Sequence, residues 1–430
     1  MPIDAEFRAD AAWARAQDAR DPLRALRDEF LIPPHGAGEQ TYLVGNSLGL
    51  QPRGVRQALR DELDDWARLG VEGHFHARHP WLSYHREVRD ALAEVVGAEP
   101  GEVVAMNALT VNLHLLCASF YCPTAERHAI LIERHAFPSD RDIAASQIRF
   151  HKFDPAEALI ELDPDESGGT LSMAAIERAL GEHGPRIALV LLPGVQYLTG
   201  QAFELAEITH LAHAQGCAVG FDCAHAAGNV PLDLHASGCD FAAWCSYKYL
   251  NAGPGAVAGA FVHARHAYAD LPRLAGWWGR NEATRFQMHP EFDPAPGAEG
   301  WQLSNPPILA LAPLRASLEL FQRAGMPHLR QKSQRLTAYL AWLIETQLAD
   351  TLEILTPADP ARRGAQLSVR VRAGRAAGKS LFDWLTAHGI VGDWREPDVM
   401  RLAPTPLYNT FSDCRRYAEA GKAWRDRHST

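Results

Sequence analysis

The strongest constraint in this chain is a set of apolar runs that lack polar alternation and are separated by helix-like segments. Ala129–Glu133, Arg186–Leu192 (RIALVLL), Ala218–Asp222 (AVGFD) and Ala256–Val262 are such runs. A strand with one wet face alternates apolar and polar residues, whereas a strand covered on both faces does not. Between two of the runs, Leu205, Ile208, Leu211 and Ala212 fall on one helical face, and Gly216 is placed to stop the helix. Alternation of strand and helix predicts the α/β class, with a mainly parallel sheet covered on both faces.

The flanks read differently. Val55, Leu59, Leu63 and Trp66 predict an amphipathic helix with one apolar face. Ile308–Leu348 is helical in pattern and interrupted at Gly325 and Pro327. In Gln366–Arg372, Leu367, Val369 and Val371 alternate with polar residues, which predicts a half-exposed strand in an antiparallel sheet. Helices near Ser380–His388 and Ser412–Arg427 follow. The expected organisation is an N-terminal segment (1–60) packing on the small domain, a large domain (61–305) and a small C-terminal α+β domain (306–430).

Composition excludes several functions. With 42 basic and 52 acidic residues the formal charge is −10, which argues against a nucleic-acid binder. No apolar run reaches the ~18 residues of a membrane span, and Met1–Arg15 carries acids and lacks an apolar core, so no secretory signal is expected. The seven cysteines are odd in number, form no CxxC pair and mostly sit in apolar stretches, which predicts a reducing, cytoplasmic setting.

Three constellations carry chemistry. Asp222-Cys223-Ala224-His225 closes one strand, and Ser246-Tyr247-Lys248-Tyr249 follows the apolar run Phe241–Cys245. Ligands in open α/β sheets bind outside the carboxyl ends of the strands. An Asp and a Lys placed there suit pyridoxal phosphate: the amine forms a Schiff base with the aldehyde, and the carboxylate keeps the pyridine nitrogen protonated. The same pair also reads as a plain salt bridge. Asn107–Asn112 opens a helical run with Thr110 as its N-cap, which is an anion site or simply a cap. Phe137, on the loop Ala136–Asp140, stacks on a planar cofactor or packs in the core of a turn. Two further motifs are set aside. Gly374–Ser380 has three residues between its glycines where a P-loop needs four. His74, His76 and His79 lack a Cys or acid to complete a metal site, so no metal is expected.

Taken in order, GNSLGL (45–50), NALTVNLHLL (107–116), AFPSD (136–140), the segment from Asp222 through SYKYLN (246–251), LAGWWG (274–279), LSNPP (303–307) and RLAPTPLYN (401–409) resemble kynureninase. The likeness spans most of the chain. It implies a fold-type I pyridoxal-phosphate enzyme, transferase-like, with a mainly parallel seven-stranded sheet in the large domain. It further implies hydrolytic Cβ–Cγ cleavage of kynurenine or 3-hydroxykynurenine to (3-hydroxy)anthranilate and L-alanine. By position, Lys248 is the expected Schiff-base lysine, Asp222 the pyridinium partner and Tyr247 a phosphate ligand and proton carrier. Phe137 is expected over the ring, Leu109 and Thr110 at the phosphate, and Asp140 and His225 beside the cofactor. Trp277 and Asn305 are expected to reach in from a second subunit of a homodimer. Arg401 is expected to grip the substrate carboxylate, and Ser47, His74, Ser304 and Asn305 to line the aryl end. The His/Ser/Asn set favours 3-hydroxykynurenine, and hence a role in NAD synthesis, because His74 and Asn305 can bond a ring hydroxyl. Pro193 departs from a hydroxyl residue found in some members. The competing readings are a cysteine desulfurase or lyase, which needs a nucleophilic cysteine on a mobile loop, and a non-catalytic homologue. Cys414 is the only cysteine after Cys245 and lies in a helical pattern.

Overall fold

The computed structural model describes residues 7–428, so the outermost parts of the predicted N-terminal and C-terminal regions, residues 1–6 and 429–430, lie outside the described residues. Its large sheet has seven strands: β1 (Val103–Ala105), β2 (Ala129–Glu133), β3 (Leu159–Leu162), β4 (Ile187–Pro193), β5 (Ala218–Asp222), β6 (Phe241–Trp244) and β7 (Gly259–Val262). Their spatial order is β1-β7-β6-β5-β4-β2-β3. From β6 to β3 all neighbours are parallel, and β7 runs antiparallel to both β6 and β1. Each parallel neighbour joined in sequence needs a crossover, whereas the segment from β6 to β7 holds no helix and returns the chain in the opposite sense.

The unalternating runs are explained by which face each residue takes. Ile130, Ile132, Leu189, Leu191, Phe241 and Ala243 belong to one core, with Leu113, Leu116, Ile143 and Ile148 from the helices Leu109–Phe120 and Pro138–Phe150. Leu131, Val190, Leu192, Val219, Phe221, Ala242 and Trp244 belong to the other, with Leu205 and Ile208 from Leu205–Ala214. Each full burial of a Leu or Ile contributes roughly 1.5–3 kcal/mol, so both faces of the sheet stabilise it.

A four-stranded antiparallel sheet follows, built of β8 (Leu352–Ile354), β9 (Leu367–Val371), β10 (Asp393–Arg395) and β11 (Val399–Leu402) in the order β8-β9-β11-β10. The long helical pattern splits at Gly325, which adopts φ +73°, into Ile308–Ala324 and Met326–Gln347.

Several expectations change. The polar side of β9 reaches solvent only at its far end: Arg370 and Arg372 are accessible, whereas Gln366 and Ser368 are buried. The Gln366 side-chain amide donates to the Tyr197 carbonyl at 3.0 Å, so this part of the polar face is an internal contact with the loop after β4. In the helix Val55–Leu69, Leu63 and Trp66 are 49% and 59% exposed. The buried positions include Glu62, which accepts from the Tyr84 hydroxyl (2.8 Å) and the Trp81 indole (3.1 Å), and Asp65, which accepts from the Arg78 amide at 2.7 Å. Charged residues with complete hydrogen bonds thus take the inner face. Thr110 is not the N-cap, because Ala108 holds that position and Thr110 is one residue inside the helix. The Gly374–Ser380 motif is also resolved: the helix starts at Arg375, five residues earlier than predicted, and Lys379 pairs with Asp383 at 3.0 Å within it.

The N-terminal segment packs on both bodies. Trp13, in the helix Ala11–Arg20, lies against Tyr339 and Phe411, and Thr41–Tyr42 pairs in parallel with Ile390–Val391. Leu23, Leu26, Phe30 and Leu50 instead join the core of the large sheet.

Candidate active site

The carboxyl ends of the parallel strands, the N-terminal segment and the small sheet enclose a cavity of about 280 Å³. Asp222 ends β5 in register with Pro193 of β4 and Ala243 of β6, so its side chain stands at the strand-end rim. Lys248 lies just beyond β6 and faces the same cavity. Its loop is seated by the GNSLGL segment: the Gly49 amide donates to the Tyr247 carbonyl at 2.8 Å, and a Cβ on Gly49 would overlap the Lys248 carbonyl oxygen. Gly45 is fixed in the same way against Thr405 and Tyr408, so three distant motifs interlock here.

Electrostatics divide the cavity. Asp222 is buried; burial pushes its carboxyl up, the Lys248 ammonium pulls it down, and the Ala224 amide donates to it at 2.7 Å. Asp140 is hydrogen-bonded to Asp222, and burial together with the charge of Asp222 raises it well above the usual carboxylate range. Burial and the neighbouring negative charge thus both favour the neutral form of Asp140. Glu133, at the end of β2, is pushed up to about 7 by burial. His225 is held well below its ordinary value by burial and by Lys248, Arg401 and Arg395, so its ring is neutral. Burial raises the Tyr247 phenol, which keeps it a proton donor at neutral pH.

The opposite wall accepts anions. The Leu109–Phe120 helix begins at the cavity with no side-chain cap, as does Pro138–Phe150, and the Thr110 and Ser139 hydroxyls are 2.9 Å apart between them. Two helix N-termini with free amides and hydroxyls make a phosphate site. The buried Asp140 Oδ1 and His225 Nδ1 have no hydrogen-bond partner. A cavity that offers an amine, a paired carboxylate, unpartnered polar atoms and an anion pole fits pyridoxal phosphate.

At the small-domain side Arg401 is buried, and donates to the Tyr197 carbonyl at 2.8 Å and to Asp393 at 2.5 Å. Arg395 also contacts Asp393, at 3.1 Å. Two guanidiniums around one carboxylate leave net positive charge for a second carboxylate. Ser47, expected at the aryl end, stands here: its hydroxyl donates to Asp393 and lies 3.3 Å from the Arg401 guanidinium.

Of the predicted residues, the cavity brings together Ser47, Leu109, Thr110, Phe137, Asp140, Asp222, His225, Tyr247, Lys248 and Arg401. His74, Trp277, Ser304 and Asn305 do not line it. Ser304 and Asn305 are exposed, and Trp277 packs edge-on against Phe286. Glu133, Ser139, Tyr197 and Arg395 line the cavity and were not singled out from sequence. Ser139 lies within AFPSD and Glu133 three residues before it, and neither carries a local signal beyond a hydroxyl in a turn and an acid at a strand end. The cysteines supply no nucleophile here: Cys414 is buried within the Phe411–His428 helix, Cys223 is buried with its thiol pushed well up, and Cys122 is the exposed one.

Comparison with known proteins bears on this site. Residues 329–420 match the family model described as the kynureninase C-terminal domain. The chain is 65% identical to a kynureninase of Xanthomonas euvesicatoria pv. vesicatoria (strain 85-10), over 96% of this chain and 98% of that protein. It is 64% identical to a kynureninase of Xanthomonas campestris pv. campestris (strain B100), over 96% and 97%. Among solved structures it resembles the cysteine desulfurase CsdA of Escherichia coli, with TM-score 0.75, 17% identity, and 94% and 98% of the two chains covered. It also resembles the cystine C–S lyase C-DES bound to cysteine persulfide, with TM-score 0.73, 20% identity, and 89% and 97% covered. Those two likenesses concern the fold.

Proposed function

Because the chain belongs to the kynureninase family, and is thus a pyridoxal-phosphate-dependent hydrolase of carbon–carbon bonds, we propose that it cleaves 3-hydroxykynurenine in preference to kynurenine, as a cytoplasmic homodimer with shared sites. Pyridoxal phosphate supplies an aldehyde for the substrate amine and an electron-withdrawing ring. The residues around it divide the remaining work. Thr110 and Ser139, at the two helix starts, hold the phosphate, with the Leu109 backbone beside them. Phe137, half-exposed at the cavity mouth, covers the ring. Asp222 would keep the ring nitrogen protonated, with Asp140, whose neutral form burial favours, beside it. His225, neutral and buried, stands beside the ring. Arg401 receives the α-carboxylate in exchange for part of its contact with Asp393. Lys248 carries the α-proton, and Tyr247, protonated at neutral pH, donates near the carbonyl that water attacks.

The observation that carries this reading is the convergence of Lys248, Asp222, Arg401 and the anion pole on one cavity. Shared sites are supported by the position of the four residues outside that cavity. His74 neighbours Phe75, and Ser304 and Asn305 precede Leu309; Trp66, Phe75 and Leu309 are large exposed apolar side chains. A second copy covering this face would bury them and carry His74, Ser304 and Asn305 toward its own partner's cavity. Trp277 is assigned to the same role. The preference for the hydroxylated substrate rests on His74 and Asn305 as hydrogen-bonding groups at the aryl end, and such a site rejects a ligand that lacks the hydroxyl. The product, 3-hydroxyanthranilate, suits a role leading to NAD. The test is kcat/KM for each substrate: 3-hydroxykynurenine is expected to be the better one, and a strong preference for kynurenine would overturn the assignment.

A further inference from the structure

Away from the cavity, Glu102, His235 and His263 place one carboxylate oxygen and two imidazole nitrogens within 4.8 Å of one another. The Glu102 Oε1 atom is 2.9 Å from His235 Nδ1 and 3.7 Å from His263 Nδ1. Around a tetrahedral zinc with bonds of 2.0–2.1 Å, ligand atoms stand roughly 3.3–3.4 Å apart, between the two distances found. We propose that these three residues form a binding site for a zinc-like divalent cation, with water completing the tetrahedron.

Each ligand suits the role. Glu102 is buried and its carboxylate is oriented by two backbone amides, Glu99 on Oε2 at 2.9 Å and Ala264 on Oε1 at 2.7 Å. Such outer bonds fix a metal ligand before the ion arrives. His235 keeps a solvent-facing side, 43% exposed, that gives entry and room for the water. The His263 Nδ1 lone pair accepts from the Arg265 amide at 3.2 Å and would exchange this long bond for the ion. The two rings stack at 5.1 Å and 25° and tilt only slightly to share a ligand. Local charge is compatible with a dication: Glu99 lies 3.9 Å from His235, and Arg265 is engaged by Asp240 at 2.6 Å.

The site is structural. Glu102 directly precedes β1, whose far end leads to the phosphate loop, and His263 directly follows the antiparallel β7. The cluster therefore sits at the edge of the sheet opposite the cavity and joins three chain segments that meet only in the folded protein. A ligand of that kind stabilises the native state and leaves turnover alone.

The test uses tag-free holoenzyme, stripped with EDTA and titrated with zinc chloride by calorimetry and thermal unfolding. Wild type is expected to take up one zinc per chain with a higher melting temperature. His235→Gln and His263→Gln keep a hydrogen-bonding side chain and remove the ligand. Both are expected to bind zinc at least about tenfold more weakly, with kcat unchanged. The proposal fails if wild type binds no zinc, if both variants retain the same uptake, or if uptake instead disappears in His76→Gln and His79→Gln.

Discussion

Glu133 provides a test of the buried acids that does not depend on turnover. Its carboxyl is raised from 4.5 to about 7, burial being the cause, with Gln196 a partial counterweight. A group with a folded value above its unfolded value adds stability that is complete below the unfolded value and disappears as pH rises through the folded one. The window is therefore pH 4.5 to 7. That displacement amounts to roughly 3 kcal/mol at alkaline pH. Between about pH 5.5 and pH 8.5 the change is roughly 2 kcal/mol, since part of the penalty is already present at the lower value. Glu133→Gln keeps the shape and removes the charge. Urea unfolding of the holoenzyme at the two pH values is expected to show the variant gaining on wild type by that amount as pH rises. Parallel pH profiles for the two proteins would refute the reasoning, because they would mean that Glu133 bears no charge penalty in the folded state.

Other outcomes follow from the same geometry. Lys248→Ala is expected to abolish turnover and the visible absorbance of the bound cofactor; full turnover would remove Lys248 from the chemistry. Arg401→Ala is expected to raise KM by about 10- to 100-fold, the cost of charged hydrogen bonds to a carboxylate, with a smaller effect on kcat; an unchanged KM would move the carboxylate site elsewhere. For shared sites, Lys248→Ala and Asn305→Ala proteins, both expected to lose activity, are mixed after dissociation. Hybrids with one intact site are expected to restore about a quarter of wild-type activity, and no recovery would place Asn305 in its own chain's site.

What the sequence revealed, and what it did not, has a physical pattern. Buried parallel strands announced themselves because residues such as Ile130, Leu131 and Ile132 must be apolar on both faces. Asp222 and Lys248 were legible for a related reason: each follows such a strand, and strand ends are where an α/β sheet opens to a ligand. Glu133 occupies an equivalent strand end, yet it passed as the last residue of an apolar run because its raised carboxyl comes from burial in the folded protein, which no local pattern displays. Arg395 and Tyr197 were invisible for a stronger reason: they enter the site from different sheets, and no local pattern couples them.

Leu63 and Trp66 mark the limit of pattern reading most clearly. Periodicity puts them on an apolar face whose first half, Val55 and Leu59, packs on the core, while Leu63 and Trp66 are turned outward and Glu62 and Asp65 face in. The hydrophobic pattern and the chain's own core can both be right only if the face is buried by something beyond the chain. Trp66 lines an apolar groove with Trp81 and Leu309, four residues from Asn305. The surface that periodicity mispredicted thus lies beside His74, which packs edge-on against Trp81, and close in sequence to Asn305, and the proposed second subunit would account for both discrepancies. If so, Trp66→Glu should impair dimer formation and activity together while leaving the fold intact by circular dichroism. A monodisperse, fully active dimer of that variant, measured by light scattering and turnover, would separate the two discrepancies and leave Leu63 and Trp66 as ordinary surface residues.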